Sequence, residues 1–539
     1  GQFIGEAGIA AVNAVIPVTG VILFFAAFLS NGIGIIYPRE IGAMRQDRAD
    51  KIYGQGLILS ISTGIILCII VFLIKDFYFS MINISGDILI NAQQYYIYAP
   101  INALLTVMLF YLEEMIYSDG DTLCTNICYV LQIGGNIAIS IILVGSMGMS
   151  GIMLGTVIGN GLGIIVCCWH YFRKCNSLHF VWHLSLEDFL QTSRYSIVDS
   201  ITVLNWAFMI FVITGFISSN YGDLELTVFA IVISLIEFSA VLDGIGVAIQ
   251  PLIGTYYAEG NHVLIKRVMK AGIIAAIIEG AVATVLICIF ARQLCGVFGI
   301  VEGEALIPSI NAVRMVALGF IFCSIILLMT SYYNLIDKIG MSVLITILLN
   351  GVLYILFPII GSILWGVDGM WSGYALAPII TLAGMFFIMF FRYGRDNFPF
   401  LLKSMTSLIR VFDDVLTHDN TAAISAQIQN LLVSMKYSSL IANRAALFAE
   451  EIGETIIEKN KNKKEKIYIE FSLFFEPDSV LIIERDSGEL FDITDPNLEI
   501  NGLSSFILGG LMESHKEKKY QITTGYNRNM IRIRENTEN

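Results

Sequence analysis

The chain has 539 residues, of which 56% are hydrophobic and only 14% are charged. Soluble proteins typically carry about 25% charged residues, so this composition excludes an ordinary soluble globular protein and indicates an integral membrane protein. The net charge of −13 argues against nucleic-acid binding as the main role. The apolar runs lie before about residue 395 and a polar stretch follows, which predicts a membrane part and then a soluble domain.

Eleven apolar segments are each long enough to cross a bilayer as a helix, because about 20 residues span roughly 30 Å of hydrocarbon. We predict them near residues 8–30, 54–74, 93–116, 123–145, 149–172, 196–217, 227–251, 270–291, 309–333, 341–364 and 368–391. Alternate connections carry most of the Lys and Arg residues, whereas the opposite connections carry only Lys75 and Arg292. The positive-inside rule then places the basic connections and the C-terminal domain in the cytoplasm, in a multi-pass protein of the inner (plasma) membrane.

Two long stretches of the membrane part share sequence landmarks in the same order. "NGIGIIYPREIG" starts at residue 31 and "DGIGVAIQPLIG" starts 212 residues later, at 243. The glycines of "GMSGIMLG", from Gly148 to Gly155, recur 218 residues later in "GVDGMWSG". Duplicated transporters bind their substrate between the repeats. We therefore predict a first lobe at 1–173, a linker at 174–195 and a second lobe at 196–393.

The segments "GEAGIAAVNAVIPVTGVILFFAAFLSNGIG", "DGDTLCTNICYVLQIGGNIAISIILVGSMGMSGIMLGTVIG" and "QPLIGTYYAEGN" together resemble the multidrug and toxic-compound extrusion (MATE) family. The resemblance implies two six-helix lobes around a cavity that opens alternately to either side of the membrane. It also implies export of an organic, cationic or amphipathic solute in exchange for H⁺ or Na⁺. The first half shows five helices and the second six, so the first helix of the family would be absent from this numbering.

Charged side chains inside the predicted helices are costly in a bilayer and usually face a cavity. Glu237 and Glu279 lie near the centres of consecutive helices of the second lobe. We interpret them as a coupling pair that shares protons or holds Na⁺, joined by Asn205; the alternative is protonated structural carboxyls. Four other charged residues are candidates for the cavity lining: Glu113, Glu114, Asp199 and Arg314. No catalytic residue is assigned, and the nine cysteines form no CxxC pair, which leaves metal binding open.

The C-terminal stretch combines two helical patterns, in "SAQIQNLLVSMKYS" and "NRAALFAEEIGETIIEKN", with later alternating strands. We predict a linker at 394–419 and a two-layer α/β sandwich at 420–539. This part resembles the histidine-kinase-type ATP-binding fold, in particular its anti-sigma-factor kinase branch.

The resemblance assigns residues of this domain to nucleotide binding. Glu451 matches the conserved acid of the family, but Thr455 stands where the family has an Asn that holds Mg²⁺. Asp486 and Gly488 match an Asp-x-Gly whose Asp receives the adenine amino group, and Gly502 keeps part of a Gly-rich lid. The match implies ATP and Mg²⁺ as ligands and a serine/threonine kinase-like activity. The departures favour a degenerate domain that regulates the membrane part or binds a cytoplasmic regulatory protein.

Three functions remain open from the sequence. The first is an ion-driven antiporter with a regulatory domain, since the tail lacks the P-loop pattern of a transport motor. The second is a membrane signalling protein with a transporter-like sensor and a kinase-like output, which predicts phosphorylation of a partner and no net flux. The third is a flippase for lipid-linked precursors, which the shortage of positive charge inside the membrane part, where only Arg314 lies, disfavours.

Overall fold

The computed structural model describes residues 5–82, 86–298, 300–393, 400, 402, 408–462, 465–495, 503–513, 515, 517–523 and 526–535. The membrane part is entirely helical and the C-terminal domain combines helices with one sheet. Seven helices form the first half of the membrane part: α1 (Gly5–Gly42), α2 (Gln46–Leu73), α3 (Lys75–Met81), α4 (Gly86–Tyr96), α5 (Ala99–Ser118), α6 (Thr122–Met147) and α7 (Met149–His170).

The second half of the membrane part contains several interrupted helices. Its helices are α8 (Leu186–Asn220), α9 (Asp223–Phe238), α10 (Gly244–Ala258), α11 (His262–Ile289), α12 (Ala291–Val297), α13 (Leu306–Ala317), α14 (Phe320–Leu335), α15 (Ile339–Thr346) and α16 (Tyr354–Tyr393). A 3₁₀ turn, Ser239–Asp243, joins α9 to α10, and a π-helical segment, Ile347–Leu353, joins α15 to α16. Gly366 divides α16 because its φ of 68° lies in the left-handed region.

The predicted apolar segments are almost entirely helical, although four of them, 93–116, 227–251, 309–333 and 341–364, each run across more than one helix. Within the described residues, eight helices are long and apolar enough to cross a membrane, or up to nine if the pair α13–α14, bent by 44°, forms one span. That count includes the segment Ile339–Phe391 as one span, although its 53 residues would measure about 80 Å as one helix. Gly366 divides this segment between the two helices predicted at 341–364 and 368–391. Among the described residues of α8, Phe208–Asn220 forms a shorter apolar stretch.

The two sequence landmarks that repeat, at 31–42 and 243–254, pack against each other where α1 crosses α10. A Cβ on Gly42 would overlap the backbone of Thr255, with its Cα only 2.8 Å away, and a Cβ on Gly254 would lie 3.0 Å from Pro38. The Thr255 hydroxyl donates a hydrogen bond to the carbonyl of Pro38 at 3.4 Å. The glycines therefore allow close approach of one helix from each half.

The C-terminal domain contains a five-stranded antiparallel sheet in the order β1-β2-β3-β5-β4. Its strands are β1 (Ile409–Val415), β2 (Tyr468–Glu476), β3 (Ser479–Asp486), β4 (Lys518–Thr523) and β5 (Tyr526–Arg534), and its helices are α17 (His418–Ser434), α18 (Ser439–Lys459) and α19 (Leu503–Glu513). The predicted boundary at 420 is wrong, because β1 lies in the proposed linker and pairs with β2. Two adjacent aspartates interrupt the alternation of hydrophobic residues in β1. The strand was therefore hard to recognise in the sequence.

The alternation of side chains along the strands gives the sheet two different faces. Ile469, Phe471 and Leu473 pack in the hydrophobic core with the helices. The intervening Glu470 and Ser472 point the other way. Ser472 accepts a hydrogen bond from Asn261 of the membrane part, and Glu470 pairs with Arg485, which contacts Glu259. One face thus builds the core of the domain, and the polar face is available for docking.

Candidate functional site

A cavity of about 520 Å³, here called the inter-repeat cavity, lies between the two halves of the membrane part. The first half contributes residues of α5 and α6, including Tyr117, Asn126 and Tyr129. The second half contributes the 3₁₀ turn and the start of α10, including Val241 and Asp243. Broken helices at a repeat interface are where duplicated transporters commonly bind their substrates.

Glu114 lies one turn before Tyr117 on α5 and connects the two halves. Gln250 of α10 donates a hydrogen bond to its carboxylate. A Cβ on Gly34 would lie 2.6 Å from Cδ of Glu114, so the glycine of the repeated Gly-x-Gly leaves the space that this carboxylate occupies. The neighbouring Glu113 is buried, and the Cys128 thiol donates to it at 3.1 Å.

The predicted pair of Glu237 and Glu279 does not form. Glu237 is exposed at the end of α9 and accepts a hydrogen bond from the Trp206 indole at 3.3 Å. Glu279 of α11 is half-buried and accepts one from the Ser324 hydroxyl at 3.4 Å. In the described part of the chain no contact joins the two carboxylates. The two carboxylates lie on α9 and α11, and they contact different neighbours, α8 and α14.

The remaining predicted membrane residues are dispersed. Asn205 of α8 lies against the π-helical segment, where a Cβ on Gly351 would be 3.0 Å from its Oδ1. Arg314 is exposed on α13 and donates to the carbonyl of Cys288 at 3.2 Å, so it does not line the inter-repeat cavity. The side chain of Asp199 lies outside the described residues.

Two aspartates at corresponding positions of the halves anchor polar networks at helix ends. Asp119 accepts from His170 at 2.9 Å, and Asp337 pairs with Arg39 at 2.7 Å. Burial would raise the pKa of Asp337, but the Arg39 guanidinium and the Tyr195 hydroxyl bring it below its ordinary value.

A group with metal-ligand chemistry that the sequence did not reveal lies beside Asp119. The ligand atoms of Asp121, His170 and Cys175 lie within 4.8 Å of one another. Both ring nitrogens of His170 already contact carboxylates, at 2.8 Å from Asp121 and 2.9 Å from Asp119. Arg173 also lies 3.1 Å from Asp121. The carboxylates are therefore already paired with His170 and Arg173 in a network of ion pairs. This pairing argues against a metal ion at the same position.

The residues matched to nucleotide binding lie on α18 and at or just after the end of β3. Several of them form hydrogen bonds with neighbouring residues of the domain. Asp486 is buried and accepts from the amide of Gly488 at 2.7 Å and from Asn527 at 3.0 Å. The hydroxyl of Thr455 donates to the carbonyl of Glu451 at 2.7 Å, within the same helix. Gly502 lies outside the described residues.

Glu484 lies two residues before Asp486 on the same face of β3 and is also fully buried. Asn529 donates to its carboxylate at 2.8 Å. Burial, and then repulsion from Asp486, raise the pKa of Glu484 well above its ordinary value. The folded domain therefore favours the protonated form of Glu484 more than the unfolded chain does.

The raised pKa of Glu484 predicts a pH-dependent stability of the domain. An unfolded Glu has a pKa of about 4.3, so above that pH the folded state binds more protons than the unfolded state and stability falls as pH rises. We expect hydrogen exchange of the β3 and β5 amides, corrected for intrinsic rates, to show less protection at pH 8 than at pH 5. Glu484→Gln should remove most of this difference. An unchanged pH difference in that variant would contradict the assignment.

The polar face of the sheet docks on the ends of α1 and α10, at a contact that we call the docking interface. Arg528 of β5 is fully buried and donates to the carbonyls of Ile41 at 2.9 Å and Gly42 at 2.7 Å. The same guanidinium lies 2.7 Å from Glu259, immediately after α10. Arg528 thus contacts both halves of the membrane part, and the C-terminal carbonyls of α1 favour a cation there.

Glu259 holds a second arginine, Arg485 of β3, which also lies 2.7 Å from Glu470. Burial lowers the pKa of Arg528 to about 10, against the attraction of Glu259. For Arg485 the attraction of two carboxylates exceeds the cost of burial and raises its pKa. Two further hydrogen bonds cross the docking interface, from Asn261 to Ser472 at 3.0 Å and from Gln521 to Gln46 at 2.9 Å.

The family model MatE matches residues 1–142 and 200–360. The chain is 20% identical over 446 residues to the probable multidrug resistance protein YoeA of Bacillus subtilis (strain 168). The aligned region covers 76% of this chain and 90% of that protein. It shares the fold of an outward-facing multidrug resistance MATE transporter of the MOP superfamily, with a TM-score of 0.66 and 21% identity over 72% of this chain and 88% of the other. A MOP superfamily transporter from Pyrococcus furiosus, described by a binding pocket of reverse polarity, matches with a TM-score of 0.66 and 20% identity over the same shares. The chain belongs to the MatE family of membrane transporters.

Proposed function

We propose that the chain is a secondary antiporter that exports organic, cationic or amphipathic solutes in exchange for H⁺ or Na⁺. The observation that carries the proposal is the inter-repeat cavity, whose walls come from both halves and lie next to the Glu114–Gln250 contact. We further propose the two-lobe arrangement of the membrane part. The basic connections and the C-terminal domain would then face the cytoplasm at the inner (plasma) membrane.

The lining of the inter-repeat cavity is suited to a cation. Tyr117 and Tyr129 offer aromatic faces, and Asp243 adds a carboxylate. An organic cation gains about 0.5–2 kcal/mol from each well-placed aromatic face, the larger values where water is excluded. The multidrug resistance named for the relative in Bacillus subtilis supports the same class of solute.

A coupling carboxylate must bind the ion and respond to the substrate, and four glutamates are candidates. Glu114 and Glu113 lie close to residues that line the inter-repeat cavity. Glu237 and Glu279 form no pair, so each of them, like Asn205, is a separate candidate. We expect Glu114→Gln to lower ion-driven transport about tenfold, which corresponds to ~1.4 kcal/mol, because it loses the titratable group between the halves. Uptake of a cationic dye by proteoliposomes under imposed H⁺ or Na⁺ gradients measures this.

Glu302→Gln is the matched control, because Glu302 is exposed in the connection after α12. It should transport at the native rate. Native, gradient-dependent transport by all four single variants, Glu113→Gln, Glu114→Gln, Glu237→Gln and Glu279→Gln, would contradict coupling by these carboxylates.

We propose that the C-terminal domain regulates transport by restraining the two halves at the docking interface. Arg528 contacts the end of α1 and Glu259 at the same time, so relative movement of the halves must break a buried ion pair or undock the domain. ATP with Mg²⁺ could bias this equilibrium only by binding the docked and undocked states unequally. A cytoplasmic regulatory protein that binds the domain would act by the same rule.

Calorimetric titration of the full chain with ATP and Mg²⁺ tests the nucleotide part of this proposal. Binding that is lost in Asp486→Asn would support the assignment by resemblance. No heat at millimolar nucleotide would contradict it and leave docking as the role of the domain. Asp486 and Thr455 already form hydrogen bonds with backbone groups of the domain. These bonds favour a regulatory domain over a signalling domain with kinase activity.

A further inference from the structure

Arg39, near the end of α1, connects the halves of the membrane part at a place separate from the docking interface. Its side chain is only 10% exposed. It donates hydrogen bonds to the carbonyl of Asn334 at 3.1 Å and to the carbonyl of Leu335, the last residue of α14. The last carbonyls of a helix have no partner within the helix and favour a cation. A side chain of the first half therefore caps a helix of the second half.

Further groups of the second half surround the same guanidinium. Asp337, just after α14, lies 2.7 Å from Nη1 of Arg39, and the Tyr195 hydroxyl of α8 accepts a hydrogen bond from Nη1 at 2.7 Å. The rings of Tyr195 and of Tyr257 on α10 lie 4.7 Å and 5.4 Å from the guanidinium carbon. Arg39 thus joins α1 to α8, α10 and α14.

The repeat relation shows that only one half supplies this crossing arginine. Asp119 holds the position of Asp337 in the first half, 218 residues earlier, but it accepts a hydrogen bond from His170 of α7 at 2.9 Å. The residue 212 positions after Arg39 is Pro251, which has neither a charge nor an N–H group to donate. Both halves therefore have the aspartate, whereas the arginine that crosses to the other half occurs in the first.

We propose that Arg39, with Asp337 and the last carbonyls of α14, is a latch that holds the halves together at this end and breaks whenever the passage between them opens there. The latch stands on the geometry alone, and its part in transport rests on the proposed function, in which the two ends open in turn. Breaking it separates a buried guanidinium from several acceptors, and such charge-assisted hydrogen bonds are stronger than neutral ones. Among the described residues, the hydrogen-bond partners of Arg39 include none from the C-terminal domain.

The latch controls how readily a substrate enters from its own side, which is the cytoplasmic side in the proposed orientation. When the halves are open at this end for only a small fraction of the time, the apparent affinity for a substrate presented there is reduced by that fraction. A weaker latch therefore raises the apparent affinity. General damage to the fold would not produce such a gain.

Two variants weaken the latch to different degrees. Asp337 has a φ of 61°, in the left-handed region that Asn also tolerates, so Asp337→Asn keeps the turn and loses the charge. Arg39→Gln also loses the contacts of the guanidinium with the end of α14, and we expect it to have the larger effect. Arg45→Gln is the matched control, because Arg45 is 56% exposed and pairs at 2.7 Å with Glu40 of its own half.

Hydrogen exchange of the full chain in nanodiscs tests the latch without any transport measurement. We expect the last turn of α14 to exchange about tenfold faster in Asp337→Asn, a factor that corresponds to ~1.4 kcal/mol, and faster still in Arg39→Gln. Exchange of β5 should stay nearly native, because the docking interface is intact, and Arg45→Gln should match the native chain. Native exchange at α14 in both latch variants, or equal acceleration in the α6–α7 hairpin, would overturn the proposal.

Gradient-driven uptake of tetraphenylphosphonium into inverted membrane vesicles tests the part of the latch in transport. These vesicles present the cytoplasmic side to the medium. We expect the apparent KM to fall by up to tenfold in the two latch variants and to stay native in Arg45→Gln. An unchanged or higher KM in both latch variants would contradict the role in transport. Absence of gradient-driven uptake by the native chain would contradict the antiporter, and hydrogen exchange would then decide the latch by itself.

Discussion

Glu259→Gln is expected to release the C-terminal domain from the membrane part. Removing one partner of a buried ion pair costs about 3–5 kcal/mol, because the remaining charge stays buried without compensation. Here the side chain of Glu259 is fully buried and pairs with both Arg528 and Arg485. Hydrogen exchange of β5 and of the last turn of α1 should accelerate together as the docked population falls.

Arg267→Gln provides the control within the same interface. Arg267 and Asp413 pair at 2.9 Å, but their side chains are 52% and 49% exposed, and exposed pairs contribute only about 0–1 kcal/mol. This variant should leave exchange at β5 nearly native. Equal effects of Glu259→Gln and Arg267→Gln would contradict the central place of the buried network.

Gly42→Ala is expected to disrupt the crossing of α1 and α10. The added Cβ would overlap the Thr255 backbone, which cannot rotate away. Such overpacking costs about 1–3 kcal/mol, and it falls where the halves meet. Thermal unfolding of the full chain should occur at lower temperature, and transport should decrease about tenfold, the factor of ~1.4 kcal/mol.

Gly20→Ala on the same helix is the matched control, since a Cβ there meets no atom within 4 Å. Alanine favours a helix over glycine by about 1 kcal/mol, so this variant should be as stable as the native chain or slightly more stable. If Gly42→Ala behaved like Gly20→Ala, the close approach of the two helices would not be needed for stability or transport.

The sequence predicted the helices well because hydropathy and length decide membrane spans. The repeated glycine motifs indicated a duplication, but not that the two motifs pack against each other where α1 crosses α10. It ranked Glu237 and Glu279 above Glu113 and Glu114 because depth along a helix can be read from a sequence. The direction in which a side chain faces depends on packing. The close contact of Gly34 with Glu114, for example, joins residues 80 positions apart.

The docking interface could not be predicted for a similar reason. Arg528 and Glu259 are far apart in the sequence, and no sequence pattern connects them. The alternation in "NRNMIRIRE" does indicate that Arg528 and Arg532 share one face of a strand. Which surface that face contacts is decided by the folded domain, including β1, whose two aspartates made it look like part of a linker.

The most direct test of the account is gradient-driven transport of a cationic dye in proteoliposomes that contain the native chain or Glu259→Gln. We expect both to accumulate dye only under an imposed H⁺ or Na⁺ gradient, and Glu259→Gln to do so faster because its halves are no longer restrained by the docked domain. Absence of gradient-dependent flux in both proteins would contradict the antiporter. Slower transport by Glu259→Gln, with its stability in the membrane unchanged, would contradict the restraining role of the domain.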